Sequence, residues 1–511
     1  MKTEIKKLNS DDIDREIIEE AAACIREGGL VAFPTETVYG LGADAMQASA
    51  SRKIYEAKGR PSDNPLIVHI ADSSSLKKLT DWVPPAAKKL AKAFWPGPLT
   101  MIVRKNEAVP YETTGGLDTV AVRMPDHPVA LALIEASGTF IAAPSANTSG
   151  RPSPTRAEHV QQDMNGRIPL ILDGGSVGIG IESTIVDLTE EIPMILRPGY
   201  ITKEMLEEVI GEVLVDPGII EADSLEKPKA PGMKYKHYAP KAELTLVTGE
   251  REHVIRTINN LVERNILQGK RTGVIATDET LEDYPKAETI SIGAREDEEE
   301  IARHLYGILR RFDELEVDEI YSESFMSSGF GQAIMNRLLK AAGHHVIEAQ
   351  AVKDMREYNR IIFVARSGTC REPMAAAILE EQVLSRPMEI LPRGLVVLFP
   401  EPLNQKAEAV MISNGIKTEG FMSAQLSEED ITEDTLILTM SEEQRQKVLE
   451  MFPDLNESDV QVLTELVGDE LEILDPYGGN LQAYGICYET LNKSIKKLVK
   501  ILNEGEKTCR K

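Results

Sequence analysis

Short apolar runs alternate with longer one-sided apolar patterns along most of the chain, and this alternation predicts an α/β protein. The segment SDDIDREIIEEAAACIREGG places Ile13, Ile17, Ala21, Cys24 and Ile25 on one helical face, with Gly28 and Gly29 as the stop. Cys24 then reads as a core residue. After it LVAF, PLIVHI, LTMIV, TVAVR, FIAAP, LILD, STIVDL and MILRPG read as strands among a few helices, a strand-rich domain over residues 1–215. Residues 216–240, DPGIIEADSLEKPKAPGMKYKHYAP, carry Pro, Gly and Lys without sustained periodicity and read as a linker. In 241–350 the strands LTLVTG, TGVIAT, TISIG and EIYSES alternate with helical segments, which predicts a small doubly wound α/β domain. Residues 357–508 repeat the alternation with IIFV, DTLILTM and VQVLTE, closing on the helix LQAYGICYETLNKSIKKLVKIL.

Composition narrows the classes of function. The 511 residues suggest about three domains. No apolar run approaches the roughly 20 residues needed to span a bilayer, and MKTEIKKLNSDDID has no apolar stretch of signal-peptide length. The expectation is a cytoplasmic protein without membrane contact. Four cysteines, at 24, 370, 487 and 509, have neither zinc spacing nor a disulfide framework. A net charge of -26 argues against a surface built to grip a nucleic-acid backbone. The run REDEEE at 295–300 reads as solvated helix surface.

Candidate chemistry concentrates in the first domain. VAFPTETVYGLG ends a buried strand in a turn that holds Thr35 and Thr37. In YEAKGRPSDNPLIVHI, Lys58 and Arg60 flank Gly59 and precede Pro61, so two cations leave a constrained turn. On a regular helix or strand face such a pair would be solvated surface, whereas Gly and Pro point to a built feature. APSANTSGRPSPT offers hydroxyls, an amide and glycine to a polar ligand, and is equally a surface loop of turn formers. Ser183 starts the strand STIVDL and Arg197 ends another in ILRPG. In 241–350, SSGFGQAIMNRLLKAAG has glycines before a helix but not the spacing of a phosphate loop, so a structural or docking role is expected there.

KGR at 58–60, SAN at 145–147, FPTETVYGLG and APGMKYKHYAP, in this order, resemble the threonylcarbamoyl-AMP synthase family. The likeness is to its long form, in which a YrdC-type domain with a twisted mixed sheet is joined by a linker to a second α/β domain, and it covers roughly residues 8–348. The resemblance implies condensation of L-threonine, bicarbonate or CO2, and ATP into threonylcarbamoyl-adenylate and pyrophosphate. A separate tRNA threonylcarbamoyl transferase would then modify adenosine 37, without stable tRNA binding by this chain. It also implies that Lys58 and Arg60 face the triphosphate as the catalytic cations, and that Ser62, Thr119, Ser145, Asn147, Arg197 and Tyr235 hold ATP. Thr35, His69, Arg123, the Ala143 backbone and Ser183 would hold threonine, with Arg123 suited to its carboxylate. His69 by itself would more often be a packed core residue, so its role comes wholly from the resemblance. No run of Asp, Glu and His marks a protein-built metal site, and Mg2+ is expected on the nucleotide. Residues 231–238 would form a lid or remain a solvated tether.

The third unit resembles the low-molecular-weight protein phosphatases, a doubly wound parallel-sheet family whose loop runs Cys, five residues, Arg, Ser, Pro. IIFVARSGTCREPMA sets Ala365 where the nucleophilic cysteine would stand, Gly368 in place of a loop-bracing Asn, and Arg371 in register with Glu372 after it. Asp475 in DPYGGN matches the general acid. A carboxylate at 372 would satisfy the amides that otherwise hold phosphate. The reading is an inactive phosphatase fold kept for interaction, regulation or stability, with Cys370 out of line for attack. Two alternatives remain for the chain, an RNA-binding module using Lys58 and Arg60, and a phosphatase with an amino-terminal regulatory region.

Overall fold

The computed structural model describes residues 2–219, 238–325, 329–349, 355–417, 420–453, 455–469 and 472–504. They fall into two compact units, Met1–Ala349 and Gln350–Lys511.

The first unit carries two sheets. The larger has eleven strands in the order Glu4–Lys7, Leu170–Asp173, Val31–Phe33, Gly40–Asp44, Ile141–Ala142, Ile67–His69, Thr119–Arg123, Leu99–Arg104, Thr184–Asp187, Met194–Arg197 and Leu214–Val215. It is mixed: Ile67–His69 runs parallel to Thr119–Arg123 and antiparallel to Ile141–Ala142. Each of the eight apolar runs contains one of these strands. Gly40–Asp44 escaped the apolar pattern because its backbone passes too close to its neighbours for side chains. A Cβ on Gly42 would stand 2.7 Å from Ile141 Cγ2 and 2.8 Å from Phe33 Cε1. Glu4–Lys7 and Leu214–Val215 are short edge strands, where burial imposes little pattern.

The first helix spans Arg15–Arg26, and the Asp14 carboxylate caps it by accepting from the Glu16 and Ile17 amides. Its buried residues are Ile18, Ala21, Ala22 and Ile25. Cys24, expected in the core, is only half-buried, as are Ile13 and Ile17. The helix packs on the helix Pro128–Ser137 as well as on the sheet, which turns its apolar face away from the single expected stripe.

The second sheet is wholly parallel, in the order Glu288–Ser291, Thr272–Ala276, Glu319–Glu323, Glu243–Thr248 and Val346–Glu348. The helix Arg251–Leu267 covers one face. Helices Glu298–Leu315 and Gly331–Ala341 cover the other, and their core is continuous with Val38 and Ile181 of the first sheet domain. Tyr235 and residues 231–237 of the expected lid lie outside the described residues. Tyr238 is described, with φ 64° and its ring stacked on Tyr306 at 5.2 Å.

The second unit has four parallel strands in the order Glu389–Gly394, Arg360–Ala365, Thr435–Thr439 and Val460–Val462. Helices Arg371–Glu380, Gln405–Ser413 and Leu481–Glu504 pack on one face, and Glu442–Met451 on the other. Glu389–Gly394 contains Pro392, which breaks the strand pattern in sequence and is tolerated because the strand is an edge.

Candidate active site

The helix Ala48–Lys58 ends at Gly59, whose φ of 63° is a left-handed cap that a side chain would strain. That turn sends Lys58 inward, where only 3% of it is exposed. Lys58 Nζ donates to the carbonyls of Ser145, at 2.5 Å, and Asn147. The KGR turn and the SAN loop therefore meet. Ser145 Oγ donates to Asn147 Oδ1 at 2.5 Å, and Asn147 Nδ2 donates to the carbonyls of Thr148 and Arg151 at 2.8 and 2.9 Å. Arg60 donates to the carbonyls of Asn64 and Pro65 at 3.2 and 3.1 Å and to Asn64 Oδ1 at 2.6 Å. These oxygens are neutral, so they satisfy N–H groups and leave the positive charge available to an anion. Burial, reinforced by Arg60, pushes the Lys58 ammonium well below its ordinary range. Burial brings Arg60 down to about 10, so it stays charged near neutrality.

The other wall comes from strand register. His69 and Arg123 are paired residues on adjacent parallel strands, and Thr100 pairs with Arg123 from the next strand. Thr100 Oγ1 lies 2.8 Å from Ser183 Oγ, and Arg197 donates through Nε to the Ser183 carbonyl at 3.0 Å and through Nη2 to Ser183 Oγ at 3.1 Å. Thr35 Oγ1 accepts from the amides of Thr37 and Val38 and donates to the Val38 carbonyl at 2.6 Å, which fixes the turn after Val31–Phe33. The Ala143 N–H is already given to the Ile67 carbonyl at 2.9 Å, so this residue can offer a ligand its carbonyl but not its N–H.

Lys58, Arg60, Ser145, Asn147 and Arg197 line the same cavity as Thr35, His69, Arg123, Ala143 and Ser183. Ser62 and Thr119 do not line it. Ser62 is exposed, and Thr119 opens the strand whose far end is Arg123, roughly 13 Å away at strand rise.

Of the other polar lining residues, Ser149, Arg151, Ser153 and Glu182 were not singled out from sequence, and Tyr238 is the last residue of the expected lid. Arg151 and Ser153 fall inside the hydroxyl-rich loop already noted, and Glu182 directly precedes Ser183. Glu36 also bears on the site. Its Oε1 is 2.7 Å from Arg123 Nη2, yet neither carboxylate oxygen, nor Arg123 Nε or Nη2, has an aligned hydrogen bond. The contact is a charge pair without fork geometry, and it leaves Arg123 able to take a carboxylate presented in its plane.

In the second unit, Ala365 ends its strand and Arg371 opens the helix Arg371–Glu380. Arg371 donates to the Ile473 carbonyl at 2.8 Å and to Asp475 Oδ2 at 2.9 Å. The Glu372 carboxylate turns back into the loop, where Oε1 accepts from the Gly368 amide at 2.9 Å. Burial raises the Glu372 carboxyl and likewise the Cys370 thiol, which keeps the thiolate scarce.

A family described as Telomere recombination matches residues 23–199, Threonylcarbamoyl-AMP synthase, C-terminal domain, matches 201–343, and Low molecular weight phosphotyrosine protein phosphatase matches 360–508. Threonylcarbamoyl-AMP synthase of Bacillus subtilis (strain 168) is 56% identical over 331 residues, 65% of this chain and 94% of that protein. The chain belongs to the threonylcarbamoyl-AMP synthase family. Another member, from Pyrococcus abyssi (strain GE5 / Orsay), is 52% identical over 339 residues, covering 65% of this chain and 98% of that one. The crystal structure of P. abyssi Sua5 complexed with L-threonine matches with a TM-score of 0.65 at 50% identity, covering 68% of this chain and all of that one.

Two histidines of this synthase-family unit give its stability a pH dependence. Burial, with Arg123 close by, holds His69 to about 3, and burial with Arg310 and Arg156 does the same to His159. His159 Nδ1 accepts from the Thr155 amide at 3.2 Å, a bond that a proton on Nδ1 would abolish. Both rings are neutral when folded and titrate near 6.5 when unfolded. The unfolded chain therefore takes up protons that the folded chain refuses as pH falls below about 6.5, and stability is lost toward acid. The melting midpoint is expected to fall between pH 7 and pH 5, a window above most carboxylate titration, and His159→Gln to flatten that slope. An unchanged slope in the variant would remove His159 from the account.

Proposed function

We propose that this chain makes threonylcarbamoyl-adenylate and pyrophosphate from L-threonine, bicarbonate or CO2, and ATP, supplying a tRNA threonylcarbamoyl transferase that modifies adenosine 37. The contact of Lys58 with the Ser145 and Asn147 carbonyls carries this reading, because it puts the cationic turn and the hydroxyl-amide loop in one cavity. The threonine amine attacks the carbon of CO2 and loses a proton, or attacks bicarbonate with loss of water, and either route gives a carbamate. A carbamate oxygen then attacks the α-phosphate, and pyrophosphate leaves. No enzyme nucleophile is needed, so the protein's task is to hold three anionic reactants together out of water.

In this reading Lys58 and Arg60 neutralise the triphosphate, and Ser145, Asn147 and Arg197 hold the nucleotide. Ser62 and Thr119 have weaker support, since neither lines the cavity. Arg123 takes the threonine carboxylate, with Thr35, His69, Ser183 and the Ala143 carbonyl around it. Glu182 is the carboxylate among the described lining residues, and Arg337 and Tyr306 already engage it. Mg2+ therefore enters as part of the nucleotide substrate, on phosphate and water ligands. Residues 1–215 and 241–350 form the synthase, and 357–508 serve as an inactive phosphatase fold for interaction or regulation.

Pyrophosphate release from ATP tests the assignment. Release should require threonine and bicarbonate together. Release indifferent to both would end the synthase reading, and turnover of an aryl phosphate instead would favour the phosphatase alternative.

A further inference from the structure

We propose that Arg337, supplied by the second sheet domain, is a positioning residue that holds both Ser183 and Arg197 in the cavity. The inference rests on the synthase reading above, and it gives the second domain a part in the reaction although none of its described residues lines the cavity.

Arg337 lies on the helix Gly331–Ala341 with 0% exposure. Its Nη2 donates to the Glu182 carbonyl at 3.2 Å, Nε to Glu182 Oε2 at 3.2 Å, and Nη1 to the Pro198 carbonyl. Residue 182 immediately precedes Ser183, and residue 198 immediately follows Arg197. One planar guanidinium thus grips the backbone on the outer side of each cavity residue, a task for its rigid fork of donors. Strand pairing reaches these two segments only at its ends, through Arg197 with Ile185 and Thr184 with Leu99. Ser183 lies just before the strand Thr184–Asp187, and the pairing of that strand with Met194–Arg197 slips between Ile195 and Arg197. The backbone after Arg197 also presses close, since a Cβ on Gly199 would stand 2.4 Å from the Thr184 amide nitrogen.

Glu182 locks the same assembly from its side chain. Oε2 accepts from Tyr306 of the second sheet domain at 2.8 Å and Oε1 from Ser153 at 2.5 Å. A second pairing joins the domains beside it: Arg310 Nη2 donates to Asp163 Oδ2 at 2.9 Å and to the Pro152 carbonyl at 2.5 Å, next to Ser153. The buried charges are matched across the domain boundary and converge on the segments that line the cavity. That convergence separates a positioning role from a general interdomain contact.

The test compares Arg337→Lys and Tyr306→Phe with the unaltered full chain, using threonine-dependent pyrophosphate release and thermal melting. Lysine keeps a cation beside Glu182, but its compact head cannot also bridge both carbonyls. KM for ATP and for threonine should each rise about tenfold or more, with kcat within about threefold. The melting midpoint should stay within about 5 °C, which a merely structural role would not combine with altered KM. Tyr306→Phe preserves shape and removes a single bond to Glu182, so both KM values should rise by about two- to fivefold. Unchanged KM values in either folded variant, or a change in only one substrate's KM, would overturn the proposal. If Arg337→Lys fails to fold, Tyr306→Phe decides alone. Absence of threonine-dependent release in the unaltered chain would instead sink the synthase reading.

Discussion

Arg60→Ala and Lys58→Ala will each abolish detectable adenylate synthesis in a chain that still folds and still binds threonine. The expected loss is about 10^2- to 10^3-fold or more per cation, the scale for removing one fixed group that stabilises developing charge in a water-poor site. Arg60 is held only half-buried by neutral oxygens, so its removal leaves acceptors that water can satisfy. Lys58 is more deeply placed. Burial disfavours its charged form, and a triphosphate beside it would supply negative potential that favours that form. Lys58 is also a tether for the Ser145–Asn147 loop, and Lys58→Arg separates the two roles. Arginine can still donate to the carbonyls, so a purely structural lysine would tolerate the change, whereas a charge placed for phosphate would be displaced and activity lost. Pyrophosphate release measured beside threonine binding and circular dichroism distinguishes these outcomes. Normal turnover in Arg60→Ala or Lys58→Ala would take that residue out of the triphosphate site.

The parts of this architecture visible in sequence were those with a local cause. Eight buried strands could be read because each packs apolar side chains on at least one face, and the KGR turn because glycine must stand where φ is positive. Gly40–Asp44 and Glu389–Gly394 were hidden for the opposite reason, since close approach demanded glycine in one and an edge position tolerated proline in the other. The site followed the same division. Lys58, Arg60, Ser145 and Asn147 sit in short segments of unusual composition, whereas Glu182 and Arg337 are ordinary charged residues until the fold brings them together over 155 positions. The second sheet domain gave no catalytic motif because its contribution is a buried arginine on an amphipathic helix. Such a residue has the same spacing as a surface one.

Ala365→Cys alone will not give the second unit aryl phosphatase activity, whereas Ala365→Cys combined with Glu372→Ser will raise it by about a hundredfold or more over the single variant. A restored thiol would stand at the end of the strand Arg360–Ala365, before a loop whose Gly368 amide already serves Glu372 Oε1 at 2.9 Å. The carboxylate is attached to the first turn of the helix, 1% exposed, and an incoming phosphate would have to displace it and bear its repulsion. The same charge raises the thiol's pKa and starves the reaction of thiolate. Serine removes both obstacles and returns the amide and the positive end of the helix to the ligand. Arg371 now donates to Asp475 at 2.9 Å, and under the proposed phosphatase-like reading it would turn to the phosphate while a protonated Asp475 would serve the departing oxygen. Hydrolysis of an aryl phosphate, and its inhibition by vanadate, measures the gain. Equal activity in the single and double variants would show that the carboxylate does not block the cradle. Inactivity of both, with vanadate still unbound, would place the defect in the loop backbone at Gly368, whose φ of 73° an asparagine brace would have to share.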